Sequence, residues 1–225
     1  MKVINVAIDG PAGAGKSIIS KRLAAELGFI YVDTGALYRA VGLYALTNGV
    51  QDTTSAEQVC PLLKDMKVEL KFTKDGQRVF LCGRDVSDEI RSPEVSMAAS
   101  NVSAIPAVRD FLFSLQKDIA AQNNVIMDGR DIGTVVLPHA DIKIFLTASA
   151  EDRARRRYEE LLEKGQAVSY QTVLEEVNKR DRNDSSRAVA PLKPATDAVL
   201  IDTSGNTLEQ SVALLLKTVK DRLPK

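Results

Sequence analysis

The stretch from Val3 to Ser20, VINVAIDGPAGAGKSIIS, constrains this 225-residue chain more than any other. An apolar run (Val3, Ile4, Val6, Ala7, Ile8) reads as a buried strand. It breaks at Asp9 into Gly10-Pro11-Ala12-Gly13-Ala14-Gly15-Lys16-Ser17, which satisfies G-x-x-x-x-G-K-[ST]. Ile18, Ile19, Leu23 and Leu27 then recur at near-helical spacing, and Gly28 is a stop signal. A strand, a glycine-rich turn and a helix in that order build an anion site. Glycines without Cβ let successive backbone N–H groups turn inward, and the helix adds its positive dipole end. Lys16 is placed to reach β- and γ-phosphates, and the Ser17 hydroxyl to ligate Mg2+.

Composition narrows the class. Lys plus Arg and Asp plus Glu both number 30, so the formal charge is zero, which argues against a nucleic-acid or anionic-membrane partner. No apolar run approaches the roughly 18 residues of a membrane span. The start runs directly into the first strand, with no room for a signal peptide, so the expectation is a cytoplasmic protein. Cys60 and Cys82 lack metal-ligand spacing and read as reduced packing residues.

The rest of the chain alternates strand and helix. Phe29 to Val32 is a short strand ending in Asp33-Thr34-Gly35, and a helix follows with Arg39 one turn in. From about 49 to 105 the rhythm breaks. Val68 to Phe72 and Arg78 to Cys82 alternate as strands around Lys74-Asp75-Gly76, and Gly83 to Val86 offers a third. Pro93 and Pro106 each open a helix, the second running to about Gln122. Val125 to Met127 is a buried strand ending in Asp128-Gly129-Arg130-Asp131. Ile142 to Leu146 is another, followed from Ser149 by a helix carrying Arg153, Arg156 and Arg157 on one face. From Gly165 to Pro194 the chain is polar, with few apolar anchors, and its arginines lie individually among carboxylates. That pattern suits a mobile lid that meets phosphates when closed. Ala198 to Ile201 and Leu208 to Leu223 supply a last strand and an amphipathic helix. Strands alternating with helices, with their loops at one edge, imply a parallel α/β sheet.

IDGPAGAGKS, VDTGALYRA, SMAASNV, MDGRDIGTVV and DSSRAVAPLKPA together resemble bacterial-type cytidylate kinase over almost the whole chain. The resemblance implies one P-loop kinase domain over 1–225 with a five-stranded parallel core. Residues 49–105 become an inserted monophosphate-binding subdomain and 165–194 a lid. It implies transfer of the γ-phosphoryl group of ATP to CMP or dCMP with Mg2+, by a monomer. By the same resemblance Gly10, Pro11, Ala12, Gly13, Ala14, Gly15, Lys16, Ser17 and Ile18 hold ATP, with Ser17 on the metal. Thr34, Arg39 and Arg130 hold the acceptor phosphate, with Tyr38 nearby. Ser100, Arg109 and Asp131 read cytosine, Arg180 and Asp184 meet the ribose, and Arg153, Arg156, Arg157 and Arg187 close around the phosphates. Three positions depart from the commonest pattern: Ile18 where Thr is frequent, Thr34 where Ser is common, and Ser185 where many relatives carry a basic residue.

Two other readings stay open: a kinase for another small acceptor, such as UMP or shikimate, and a GTPase switch. The latter finds a match in Asn178-Lys179-Arg180-Asp181, the guanine-reading pattern N-K-x-D. Here that match follows a charged helical stretch instead of ending a buried strand.

Overall fold

The structure is a computed structural model and describes residues 3–74, 76–163 and 165–223. Five parallel strands form the central sheet: β1 (Asn5–Asp9), β2 (Ile30–Asp33), β6 (Val125–Gly129), β7 (Ile142–Thr147) and β8 (Val199–Asp202). Their order is β2-β6-β1-β7-β8. Val6, Ala7, Ile8, Val125, Ile126 and Met127 are wholly buried, because helices cover both faces of the central strands. Alternation divides them. Val6, Ile8 and Ile126 pack toward α1 (Lys16–Leu27) and α8 (Leu208–Lys220) on one face. Ala7, Val125 and Met127 pack toward α5 (Pro106–Gln122) on the other.

The second apolar cluster joins α2 (Thr34–Thr47), α4 (Pro93–Val102) and α5 to a small antiparallel sheet. A short helical turn, α3 (Ala56–Val59), leads into that sheet of β3 (Val68–Thr73), β4 (Gly76–Leu81) and β5 (Arg84–Asp85). The hairpin and its third strand thus form where the alternation placed them, although Asp75 of the turn signal lies outside the described residues. Helix α2 approaches α4 so closely at Gly42 that a Cβ there would lie 2.9 Å from the Ala99 amide nitrogen. Cys82 does not pack in the core as expected. It is exposed at φ 49° beside Gly83 at φ 82°, the paired positive angles of a tight turn between β4 and β5.

The polar stretch 165–194 is largely helical and not an open loop. Most of it is α7 (Tyr170–Ser186), a 17-residue helix capped by the Ser169 hydroxyl. It pairs with α6 (Ala150–Glu163) around Ala154, Leu161, Val173 and Val177. Those apolar anchors are few but correctly spaced, and two helices facing each other need only one narrow stripe each. The N-K-x-D match lies inside α7 and ends no strand. Among the described residues no helix is long and apolar enough to cross a membrane.

Candidate active site

Parallel strands bring Asp9, Asp33, Gly129 and Asp202 to one edge of the sheet, and the loops that follow them form the site. In the loop after β1, Gly10 has φ 149°, and a Cβ on it would lie 1.9 Å from the Leu146 carbonyl oxygen. Gly13 and Gly15 have φ of 77° and 85°, which only glycine adopts cheaply. The loop is therefore pressed against β7 at Gly10, where no side chain fits. Lys16 folds back into it, its Nζ donating to Gly10 O at 2.7 Å and Pro11 O at 2.8 Å. Burial, then the nearby Arg130 guanidinium, pushes the Lys16 ammonium down. Ala14 is buried against the core, and Ile18 points to solvent.

Asp9, left without a role by the motif reading, and Asp128, which that reading noted at its strand's end, organise this corner. Asp9 accepts from the backbone N–H groups of Ile132 and Gly133, both at 2.7 Å, which pins the Asp128–Gly133 loop beside the phosphate loop. Burial raises the Asp9 carboxyl to about 6 against those two donors. Asp128 Oδ2 accepts from the Ser17 hydroxyl at 2.9 Å and the Tyr31 hydroxyl at 3.2 Å. The signal was available: an acid closing the strand beside β1 is the usual partner of a phosphate-loop serine. A serine hydroxyl and a carboxylate converging at the loop are the hard oxygen donors that Mg2+ takes when substrate phosphates complete its shell.

Across from the loop, Asp33 caps α2 by accepting from Ala36 N at 3.0 Å and holds Arg39 Nη2 at 2.6 Å. The Thr34 hydroxyl donates to Asp128 O at 2.7 Å. Arg130 Nε donates to Asp184 Oδ2 at 2.8 Å, tying the end of β6 to α7. Burial pushes Asp184 up, but Arg130 first, together with Arg180 and Arg187, holds the carboxyl below its ordinary range. Arg180 projects from α7 into the same space, its buried Nε without a hydrogen-bond partner. Burial, then Arg130, pushes its guanidinium down to about 10, with Arg39 and Arg157 also nearby. Lys16, Arg39, Arg130, Arg157 and Arg180 thus crowd one region. Cations are buried side by side at a cost that bound anions relieve.

The third part of the site lies between α4, α5 and α7. Arg109 and Asp131 are both buried and hydrogen-bonded to each other, and the Tyr38 ring centre is 5.8 Å from the Arg109 guanidinium carbon. Arg187 Nη2 is 3.6 Å from Asp131 Oδ1, close enough for charge attraction and too far for a hydrogen bond. Its Nη1 donates to the Ser103 hydroxyl at 3.3 Å. A cleft of about 320 Å³ opens here, lined by Ser100, Asn101, Ile105, Asp184 and Arg187 among others.

The arginines of α6 do not converge as their shared face suggests. Arg153 is buried in a two-pronged pair with Asp181, at 3.0 and 2.5 Å, and donates to Ala12 O at 3.0 Å. Arg156 donates to Thr203 O at 3.1 Å, and Arg157 to Glu160 at 2.9 Å. Arg153 therefore anchors the α6–α7 pair to the back of the phosphate loop, Arg156 lies beside Gly15 of that loop, and Arg157 faces Arg180.

The cytidylate kinase family profile matches residues 6–221. The chain belongs to the cytidylate kinase family. A cytidylate kinase of Caldicellulosiruptor saccharolyticus is 51% identical over 217 residues, covering 96% of each chain. One of Pelotomaculum thermopropionicum is 52% identical over 216 residues, covering 96% of this chain and 95% of its own. Among solved structures, an uncharacterized protein from Eubacterium ventriosum shares the fold with a TM-score of 0.55. It has 14% identity over 98% of this chain and 100% of its own. The family membership leaves no support for the GTPase switch.

Proposed function

We infer that this kinase transfers the γ-phosphoryl group of ATP to CMP or dCMP, giving ADP and CDP or dCDP. The observation that carries the reading is the crowding of Lys16, Arg39, Arg130 and Arg180 between a phosphate loop and a cleft lined by Ser100, Asp184 and Arg187. Two facing phosphate groups are what such a cluster neutralises.

Gly10 to Ser17 receive the phosphates of ATP, with Ile18 following at the helix start. Thr34, Arg39 and Arg130 receive the acceptor phosphate, beside Tyr38. An oxygen of that phosphate attacks the γ-phosphorus as the bond to the β-phosphate oxygen breaks and ADP leaves. The acceptor's second pKa is about 6, so the attacking oxygen is already ionised near pH 7 and no general base is required. His139, the one histidine of the chain, is exposed and away from the site. Ser17 and Asp128 would hold Mg2+, which would supply positive charge to neutralise the phosphates during transfer. Arg157, Arg180 and Arg187 approach from α6, α7 and the loop after α7, while Arg153 and Arg156 hold that pair of helices in place.

Ser100, Arg109 and Asp131 read cytosine, and Arg180 and Asp184 meet the ribose. Cytosine presents an N4 amino donor where uracil presents a carbonyl. An ionised Asp131 accepts from the first and repels the second, and Arg109 suits the neighbouring acceptors. Residues 49–105 act as the acceptor-binding insert and 165–194 as the lid of a single domain. Balanced charge fits a cytoplasmic monomer that acts on small molecules and not on nucleic acid or membranes.

A coupled assay with ATP, Mg2+ and a panel of monophosphates tests the reading. CMP and dCMP are expected to exceed UMP by tenfold or more in kcat/KM. Equal rates for UMP, or no turnover of CMP, would overturn it.

A further inference from the structure

The acceptor side of the site receives a side chain from the antiparallel insert. Asp33 ends β2, an edge strand of the central sheet, so its backbone on the open side has no strand to pair with. Gln77, in β4, fills that place. The Asp33 N–H donates to Gln77 Oε1 at 2.9 Å, and Gln77 Nε2 donates back to Asp33 O at 3.2 Å. One primary amide thereby does what a neighbouring strand would do, across 44 residues of chain.

What Gln77 grips is the residue that aims Arg39. The Asp33 carboxylate spends one oxygen on the first turn of α2 and the other on Arg39. The space around that pair is tight. A Cβ on Gly35 would lie 3.1 Å from Asp33 Oδ1 and 3.2 Å from Arg39 Nη1. Backbone movement at Asp33 therefore passes to the guanidinium without slack, while Arg39 Nε keeps an unused donor.

We propose that Gln77 is a positioning residue for the acceptor phosphate: by clamping the Asp33 backbone it fixes Arg39, and so couples the docking of the insert to acceptor binding. This rests on the function inferred above, and it predicts an effect chiefly on one substrate. The phosphate loop and its Asp128 and Asp9 supports lie on β1 and β6 and make no hydrogen bond to Gln77. Thr34 and the β2–β6 pairing still link this segment to Asp128, so the effect on ATP binding is expected to be the smaller one.

The test is steady-state kinetics of Gln77→Ala and Gln77→Glu, with amide exchange measured without nucleotide. Gln77→Ala loses both hydrogen bonds and is expected to raise KM for CMP about tenfold, leaving KM for ATP within about twofold. Gln77→Glu keeps an acceptor for the Asp33 N–H but sets a carboxylate oxygen against the Asp33 carbonyl, so its rise is expected to be at least as large. Exchange over 33–39 is expected to quicken in both. The proposal is overturned if KM for CMP stays within twofold in both variants, if the two KM values rise together, or if exchange over 33–39 is unchanged. Failure of the unmodified protein to phosphorylate CMP would refute the assigned function instead. The nucleotide-free exchange comparison would still decide whether Gln77 holds this segment.

Discussion

The Ser17 hydroxyl donates to Asp128 Oδ2 at 2.9 Å, joining the first turn of α1 to the end of β6 across 111 residues of chain. Both groups are hard oxygen donors, and the Tyr31 hydroxyl at 3.2 Å fixes the carboxylate's orientation. Asp128→Asn is therefore expected to raise the Mg2+ concentration for half-maximal rate by about tenfold or more. Calorimetry of ADP without metal should show unchanged affinity. Parallel losses with and without Mg2+ would assign Asp128 to the fold alone.

Lys16→Ala is expected to lower kcat by about a hundredfold or more, as expected for loss of a preorganised charge at the transferring group. The protein should stay folded. Lys16 gives its two hydrogen bonds to loop carbonyls and is otherwise a costly buried cation beside Arg130. A thermal midpoint within about 4 °C of the parent is expected. A folded variant keeping a tenth of the rate would remove Lys16 from the mechanism.

Arg153→Ala should act on stability as much as on catalysis. It breaks the two-pronged pair with Asp181 and the bond to Ala12 O together. With Asp181 partly exposed, the loss is expected near the low end for a broken buried pair, about 3 kcal/mol. Urea unfolding of Arg153→Ala, Asp181→Ala and the double variant checks it. Additive effects would deny the coupling.

Asp131→Asn keeps the shape at the Arg109 pair but adds an amide that can donate toward a uracil carbonyl. Loss of a charged acceptor in a buried site should cut kcat/KM for CMP and narrow the CMP to UMP ratio, by about tenfold or more. An unchanged ratio in a folded variant would show that Asp131 only joins Arg109 to the end of the β6 loop.

Asp9 gives a pH signature. Its folded-state pKa of about 6 lies above the ordinary aspartate value of 3.8, so between those values the native state binds the extra proton. Stability from this group is full below about pH 4 and falls as pH rises through 6. Asp9→Asn cannot titrate. The stability of the parent relative to Asp9→Asn is thus expected to fall from pH 4 to 6.5, by at most about 3 kcal/mol, and to level off above. Urea unfolding across that range measures it. A flat difference would mean that the two backbone donors keep Asp9 ionised throughout.

Much of the site's wiring is invisible to local pattern. That Arg153 pairs with Asp181 depends on how α6 meets α7, with 28 residues between the two partners, and i, i+3, i+4 spacing describes only one helix face. What α7 packs against was hidden for a related reason. Val173 and Val177 are two apolar residues in a charged run, and their value comes from the stripe on α6 that they face.

Sequence alone determined the strand–loop–helix of 3–28, the alternation that dictates a parallel sheet, and the loops at one edge that carry the family's residues. Those features rest on interactions within a few residues: glycines without Cβ, a helix start beside a strand end, and apolar spacing of two or 3.6. Only the tertiary structure decided which polar groups meet. Ser17 with Asp128, Asp9 with Ile132 and Gly133, Arg130 with Asp184, and Gln77 with Asp33 are separated by 44 to 124 residues. Strand order and helix packing bring such groups together, and a buried charge then takes whatever partner lies within about 3 Å.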